Sequence, residues 1–168
     1  MIILGIDPGY AIVGYGVIDY RNNHFKVIDY GAILTDAKTP FNERLETIYD
    51  RLTQIITLHS PEVMSVEKVF YNSNAKTVID VSQARGVIML AAQKNRLPVF
   101  EYTPLQVKQS VVGYGRAEKN QVQEMVRRIL ALEKVPKPDD TADALAMAVC
   151  HAHSSGSIMG NLRIKRGI

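Results

Sequence analysis

The sequence predicts a single α/β domain in which helices cover a mixed five-stranded sheet on both faces. The order of the elements is the main reason, because three consecutive strand-like segments precede helix-like and strand-like segments in alternation. A length of 168 residues and an apolar content of 46% also suit one domain with a sizeable core. The sequence contains no internal repeat and no low-complexity segment, so a second unit is not expected.

The first three strands are expected to form an antiparallel meander, with glycine-containing or polar segments as turns or bends between them. The first of these segments is almost entirely apolar, as is typical of a strand that is covered on both faces. Two further strands follow, each after a helix-like segment. In chain order the predicted strands cover residues 2–6, 12–20, 26–35, 63–69 and 97–102.

Apolar residues that recur at intervals of three and four predict the helices. The first helix follows Pro40, ends before Ser60 and is expected to make about four turns. The other predicted helices cover residues 74–95, 103–112, 117–132 and 140–154. The single domain is therefore assigned to residues 1–155, and the glycine-rich residues 156–168 are expected to form a flexible C-terminal tail.

Composition argues against several protein classes. The N-terminus has no basic lead-in and its first apolar stretch is interrupted at Asp7, so we expect neither a signal peptide nor a membrane span, and a cytoplasmic location. A single cysteine, Cys150, cannot form an internal disulfide, and with only four histidines it argues against a structural zinc site. Cys150 is interpreted as a small apolar residue on a helix.

Positive charge is concentrated in the middle third of the chain. Residues 85–134 contain nine Lys or Arg against four Asp or Glu, whereas residues 1–84 contain seven against ten and residues 135–168 four against three. This basic middle third fits a polyanionic partner, although solvated helix surfaces explain the same distribution equally well.

Four acidic residues occupy positions where secondary structure does not call for a charge. Asp7 ends the first strand and Glu67 interrupts the fourth. Asp140 and Asp143 open the last helix and project from the same helix face, because they are three residues apart. Each acid has an ordinary alternative role, as part of an Asp-Pro-Gly turn, a solvent-facing strand residue, a helix cap or a first-turn acid. Their joint position near one end of one sheet favours a functional cluster.

A cluster of four carboxylates needs cations to stay ionised, since like charges raise each other's pKa. Ligation by oxygen atoms alone favours Mg²⁺ or Mn²⁺. Two such ions, roughly 3.5–4 Å apart, can activate a water molecule and stabilise the leaving oxygen of a phosphodiester. The four acids therefore predict metal-dependent hydrolysis of nucleic acid.

Four segments follow one another in the chain: GIDPGYAIVGYGVI, VEKVFYNSNAKTVIDVSQARGVI, PVFEYTPLQVKQSVVGYGRAEKNQVQEMV and DDTADALAMAVCH. Together they resemble the RuvC family of Holliday junction resolvases, crossover junction endodeoxyribonucleases with a ribonuclease H-like fold. The resemblance implies that Asp7, Glu67, Asp140 and Asp143 are the catalytic carboxylates and bind two Mg²⁺ ions per subunit, which Mn²⁺ can replace. Some relatives have histidine at the third acid position, so Asp140 is the most replaceable of the four.

The same resemblance implies contacts with four-way junction DNA. Phe70 matches an aromatic residue that stacks on an unpaired base at the junction centre, with a core phenylalanine as the alternative. Lys108 and Lys119 match lysines near the scissile phosphate or along the DNA backbone. Arg85 and Arg116 could add phosphate contacts. Without the resemblance, each of these basic residues fits an ordinary solvated helix position.

The resemblance further implies a homodimer that makes paired symmetric nicks during homologous recombination and DNA repair, as suits a junction with approximate two-fold symmetry. It also implies cooperation with a junction-binding and branch-migration complex, RuvA and RuvB. We expect the dimer to use the helix of residues 74–95, although burial of that helix inside its own domain is the alternative. Its apolar residues include Val78, Val81, Ile88, Met89 and Leu90.

Two other function classes remain as alternatives. The segment GIDPGYAIVGYG also resembles the first phosphate loop of actin-like ATPases and sugar kinases. Those proteins normally duplicate the core, whereas this chain has one core and an additional acid pair on its last helix. The second alternative is a module that binds junctions without cutting them, against which the presence of all four acids argues.

Overall fold

A computed structural model of the chain describes residues 1–68 and 78–166, with side chains described up to residue 155. The elements of the described residues alternate in the predicted order. They are β1 Ile2–Asp7, β2 Ile12–Arg21, β3 His24–Leu34, α1 Phe41–His59, β4 Val63–Glu67, α2 Val78–Lys94, β5 Val99–Tyr102, α3 Pro104–Val112, α4 Lys119–Ile129 and α5 Asp139–Arg166.

The five strands form one mixed sheet in the order β3-β2-β1-β4-β5. β1, β2 and β3 form the predicted antiparallel meander, whereas β4 pairs with β1 and β5 pairs with β4 in parallel. The prediction of an α/β fold around a mixed five-stranded sheet is thus confirmed. β1 lies at the centre of the sheet, which explains why its sequence is apolar on both faces.

Helices pack on both faces of the sheet and form two hydrophobic clusters. Leu4 and Ile6 of β1 belong to the cluster with α1 and α2. Ile3, on the opposite face, belongs to the cluster with α3, α4 and α5. Burial of each such side chain stabilises the fold by about 1.5–3 kcal/mol before the entropy cost of folding is subtracted. Because side chains alternate along a strand, Gly5 and Asp7 lie on the same face as Ile3, toward α5.

α5 crosses β1 and β2 at backbone contact distance, and three glycines make this approach possible. A Cβ atom on Gly5 would lie 2.0 Å from the carbonyl oxygen of Ala144, and one on Gly14 would lie 1.9 Å from that of Asp140. A Cβ atom on Gly16 would lie 2.5 Å from Cδ2 of Leu145. The first turn of α5 is therefore held directly over the strands.

Several element ends differ from the predictions. β1 includes Asp7, and β4 ends at Glu67 instead of continuing to residue 69, so each acid is the last residue of its strand. α1 has 19 residues, so it makes about five turns instead of four. α2 is described from Val78, and residues 74–77 of the predicted helix lie outside the described residues.

The last helix is longer than predicted. α5 continues to Arg166, well beyond the predicted end at residue 154. Serine and glycine lower helix propensity there, but both keep the backbone N–H that proline lacks. The helix can therefore continue through them. That residues 156–168 behave as a flexible tail stays a prediction, as does the domain boundary at residue 155. None of the helices in the described part of the chain combines the length and hydropathy that a membrane span requires.

Candidate active site

Parallel pairing of β1 with β4 brings Asp7 and Glu67 together. Gly5 pairs with Ser65 and Ile6 with Val66, so the next residues, Asp7 and Glu67, are neighbours at the carboxyl ends of the two strands. Paired residues of adjacent strands project to the same face of a sheet, and Gly5 faces α5. Both carboxylates therefore lie on the face that α5 covers.

The first turn of α5 brings the other two acids to the same place. Gly14 pairs with Asp7 in the sheet. Because Gly14 has no Cβ atom, the carbonyl oxygen of Asp140 can lie close to its backbone, and Asp140 therefore lies beside Asp7. The hydroxyl of Thr141 donates to the carbonyl oxygen of Gly31 in β3 at 3.0 Å, which fixes this turn to the sheet. Since α5 begins at Asp139, Asp140 lies inside the first turn and is not a plain cap in front of it.

The charges of the other three acids all act on Asp7. Burial raises the pKa of Asp7 to about 7, with further contributions from the charges of Asp143, Glu67 and Asp140 in that order. Burial also raises the pKa of Glu67, and the charge of Asp143 adds to this effect. The structure thus brings together the four acids that the sequence singles out.

Lys119 is part of the acid cluster, a contact that sequence reasoning missed. Its Nζ atom lies 2.8 Å from Oδ2 of Asp143 and 3.7 Å from Oδ2 of Asp139. The hydrogen bond with Asp143 is the main cause that raises the pKa of Lys119. Asp139 also binds Nζ of Lys137 at 2.5 Å. No local pattern reveals the contact between Lys119 and Asp143, because it joins two different helices and depends on how α4 packs against α5.

Capping boxes determine where the helices that carry Lys119 and Lys108 begin. Lys119 is the first residue of α4, which is preceded by a capping box between Glu118 and Gln121. α3 begins with a second capping box, in which the Thr103 side chain accepts from the backbone N–H of Gln106 and Gln106 binds back. Lys108 lies one turn into α3.

The acids fit a hard divalent cation by their donor chemistry. Among the described residues, no three Asp, Glu, His or Cys side chains converge closely enough to form a complete metal cage. Mutual repulsion of the carboxylates and the contact of Asp143 with Lys119 both favour side-chain orientations that keep the oxygen atoms apart. A cation relieves that same repulsion, and half-buried carboxylate oxygens are donors that suit Mg²⁺ and Mn²⁺.

A pocket of about 190 Å³ opens beside the acids. Glu67, Asp143, Lys108 and Lys119 contribute to its lining, so both predicted DNA-binding lysines lie next to predicted catalytic acids. A larger cavity of about 460 Å³ lies between β3 and α1, and none of the four acids lines it. The chemistry of the lining, not the size of the cavity, identifies the smaller pocket as the candidate site.

Of the remaining predicted DNA contacts, Arg85 and Arg116 do not line this pocket. The Arg85 guanidinium forms an ion pair with Glu101 on β5. Arg116 is exposed in the connection between α3 and α4. Phe70 lies outside the described residues. Arg127 and Arg128 both bind Glu124, at 2.8 and 2.9 Å, so part of the basic middle third is neutralised within the protein.

Comparison with known proteins gives a consistent family. The family model of the crossover junction endodeoxyribonuclease RuvC matches residues 3–151. The crossover junction endodeoxyribonuclease RuvC of Alkaliphilus oremlandii is 57% identical over 165 residues, which cover 98% of this chain and all of that protein. The protein of the same name from Clostridioides difficile is 60% identical over 155 residues, or 92% of each chain.

A solved structure supports the same relationship. T. thermophilus RuvC in complex with Holliday junction substrate superposes with a TM-score of 0.88 at 35% sequence identity. The match covers 92% of this chain and 94% of that chain. This likeness confirms the ribonuclease H-like fold that the sequence resemblance implies.

Proposed function

The chain belongs to the RuvC family of crossover junction endodeoxyribonucleases, and on this premise we propose that the four acids form its active site. The chain is an endodeoxyribonuclease that resolves four-way (Holliday) junctions by paired phosphodiester hydrolysis in homologous recombination and DNA repair. The observation that best supports the assignment of the site is the convergence of the ends of β1 and β4 with the first turn of α5, which places Asp7 among three other carboxylates. Such an arrangement is costly for folding and is expected where a protein must bind cations.

We propose that Asp7, Glu67, Asp140 and Asp143 hold two Mg²⁺ ions per subunit, which Mn²⁺ can replace. Bound ions of this kind supply an activated water molecule and charge stabilisation for the leaving oxygen. The contribution of the protein is rigidity, since two of the acids end paired strands and two belong to a helix turn held against glycines. Asp140 is the most replaceable ligand of the four.

The positive charges beside the acids suit the sugar–phosphate backbone. We assign Lys108 and Lys119 to contacts near the scissile phosphate, because both border the same pocket as Glu67 and Asp143. Arg116 is exposed and can reach a phosphate farther along the strand. Arg85 can do so only if DNA competes with Glu101 for its guanidinium. Phe70 is proposed to stack on an unpaired base at the junction centre.

We propose that two copies of the chain associate through α2. Ile88, one of the apolar residues expected at the interface, is fully buried in its own domain and is not available. The outer face of α2 instead presents Ile79 and Leu90, which are 63% and 51% exposed. Between them lies Gly86, where a Cβ atom would meet nothing within 4 Å. A glycine that the monomer does not require suits close approach by a second helix.

The family relationship extends the proposal to the cellular setting. Two symmetric sites in a homodimer match the approximate two-fold symmetry of a four-way junction. We propose that the dimer acts in the cytoplasm together with the junction-binding and branch-migration complex of RuvA and RuvB.

Neutral substitutions at the acids test the proposed site. Glu67→Gln and Asp143→Asn keep a ligand oxygen but remove its charge, so we expect both to lose cleavage of a labelled four-way junction by about 100-fold or more while still binding it. Glu46→Gln, at an exposed position on α1, removes an acid outside the cluster and should cut like the wild type. Normal cleavage by both active-site variants would refute the assignment.

A further inference from the structure

We infer that Tyr102 and His151 are positioning residues whose buried hydrogen bond sets the location of the α5 acids relative to Glu67. The inference deepens the proposed function and rests on it, because it concerns the geometry of the same four carboxylates. Neither residue lines the pocket beside the acids. Their effect on catalysis would be transmitted through β5 and α5.

On the sheet side, Tyr102 is joined directly to the strand end that carries Glu67. Tyr102 pairs with Glu67 in the parallel register of β4 and β5. The backbone N–H of Lys68 donates to the carbonyl oxygen of Tyr102 at 2.8 Å. Since a paired strand end moves as one unit, the position of the Tyr102 ring is tied to that of Glu67.

On the helix side, the Tyr102 hydroxyl contacts α5. It lies 2.8 Å from Nδ1 of His151, and both side chains are buried. The Phe100 ring lies 4.6 Å from the His151 ring and limits its rotation. Burial raises the pKa of Tyr102 to about 12 and lowers that of His151, so the pair is neutral near pH 7 and the hydroxyl can donate to Nδ1.

The two sides of α5 are held by different kinds of contact. Over β1 and β2, the glycines Gly5 and Gly14 fix the helix at backbone distance. Elsewhere in the cluster that contains Tyr102, residues such as Ala146 and Met147 make apolar contacts, which do not specify a direction. A hydrogen bond does specify direction and distance, so the Tyr102–His151 bond can fix how α5 is rotated and shifted on this side. Loss of the bond would leave a buried ring nitrogen without a partner, which disfavours other placements.

Asp140 and Asp143 lie on the same helix as His151, so their positions depend on where His151 is held. Asp143 precedes His151 by two helical turns, or about 12 Å along the axis. Within one straight helix, a small rotation at His151 is passed to Asp143 and changes its distance from Glu67. Metal ligands tolerate little displacement, and groups that orient them commonly change metal affinity by about tenfold or more when removed.

The test compares variants that delete the bond with one that keeps it. Tyr102→Phe and His151→Leu remove one partner each, whereas His151→Asn retains an acceptor close to the position of Nδ1. Ile48→Val is the control for lost stability, because Ile48 is fully buried in the cluster on the other face of the sheet. Mg²⁺ and Mn²⁺ affinity is measured by calorimetry, and junction binding and single-turnover cleavage are measured at a temperature where every variant is folded.

We expect Tyr102→Phe and His151→Leu to bind metal about tenfold more weakly and to cut about tenfold more slowly, with junction affinity unchanged. His151→Asn should recover most of both properties, and Ile48→Val should lose only thermal stability. If Tyr102→Phe and His151→Leu keep wild-type metal affinity and cleavage, the inference is wrong but the proposed function stands. The same holds if His151→Asn is impaired as strongly as His151→Leu. A wild-type chain that neither binds metal nor cuts would overturn the proposed function, and the inference with it.

Discussion

Asp7 is held at a position where burial and neighbouring carboxylates disfavour its charged form. Burial and the neighbouring acids raise its pKa from 3.8 to about 7 in the folded, metal-free chain. Between these two pH values the unfolded chain releases the proton that the folded chain retains. The free energy of unfolding therefore falls as pH rises through this window, and the cost is fully present above about pH 7. Function, not stability, explains an aspartate at this strand end.

Replacement of Asp7 by Asn should stabilise the metal-free protein while abolishing cleavage. At pH 8 in chelator we expect the free energy of unfolding to rise by about 1–3 kcal/mol, because the ionised carboxylate is removed. At pH 4 the gain should almost disappear, since Asp7 is then protonated in the folded wild type. Urea unfolding at both pH values measures the effect.

The control for this prediction is Asp50→Asn, which neutralises an exposed acid on α1. It should leave stability nearly unchanged at both pH values. Equal or lower stability of Asp7→Asn at pH 8 would contradict the electrostatic account of the cluster.

At the level of elements, the site depends on how closely α5 approaches β2. Gly14 is the contact point, and its missing Cβ leaves room for the carbonyl oxygen of Asp140. Substitution of Gly14 by Ala should therefore displace the first turn of α5, with a loss of about 1–3 kcal/mol in stability and about 100-fold in cleavage rate. Chemical denaturation and single-turnover cleavage measure the two effects.

A neighbouring residue supplies the matched control. Val13 is adjacent in β2 but is buried on the opposite face, in the cluster with α1 and α2. Val13→Ala should lower stability by a similar amount, because it leaves a small cavity, yet it should keep most of the cleavage rate. If Gly14→Ala cuts as fast as Val13→Ala, the close approach of α5 does not determine the geometry of the acids.

Elements with a clear hydrophobic period were predictable from the sequence, and their ends were less so. β1 and the buried face of α1 follow directly from their apolar patterns. The end of α5 was wrong because serine and glycine weaken a helix without terminating it. The shorter β4 could not be foreseen, because whether Glu67 ends the strand depends on its pairing with Tyr102.

At the level of the whole molecule, the site divides into parts that local sequence reveals and parts that it does not. The four acids were found because charges are unusual at strand ends and because a family resemblance covers them. The contact of Lys119 with Asp143 was not found, since only the packing of α4 against α5 creates it. The bond between Tyr102 and His151 was missed for the same reason.

Association of two copies through α2 gives a prediction at the same scale. Leu90→Arg places a charge on the proposed interface and should weaken self-association by about tenfold or more, as measured by sedimentation. Leu58→Arg alters a leucine on α1 that is 75% exposed and should have no such effect. The Leu90 variant should also make unpaired nicks, because a lone subunit has one site. An unchanged dimer in Leu90→Arg would place the interface elsewhere.

The most direct test of the account maps the nicks that the purified chain makes in a labelled four-way junction and in the matching linear duplex. The reaction is run with Mg²⁺ and with chelator, and the products are separated on a denaturing gel. We predict paired nicks at symmetric positions in the junction alone, and none with chelator. Equal cutting of the duplex, or cutting that persists with chelator, would contradict the assignment of the acid cluster as a metal-dependent junction-resolving site.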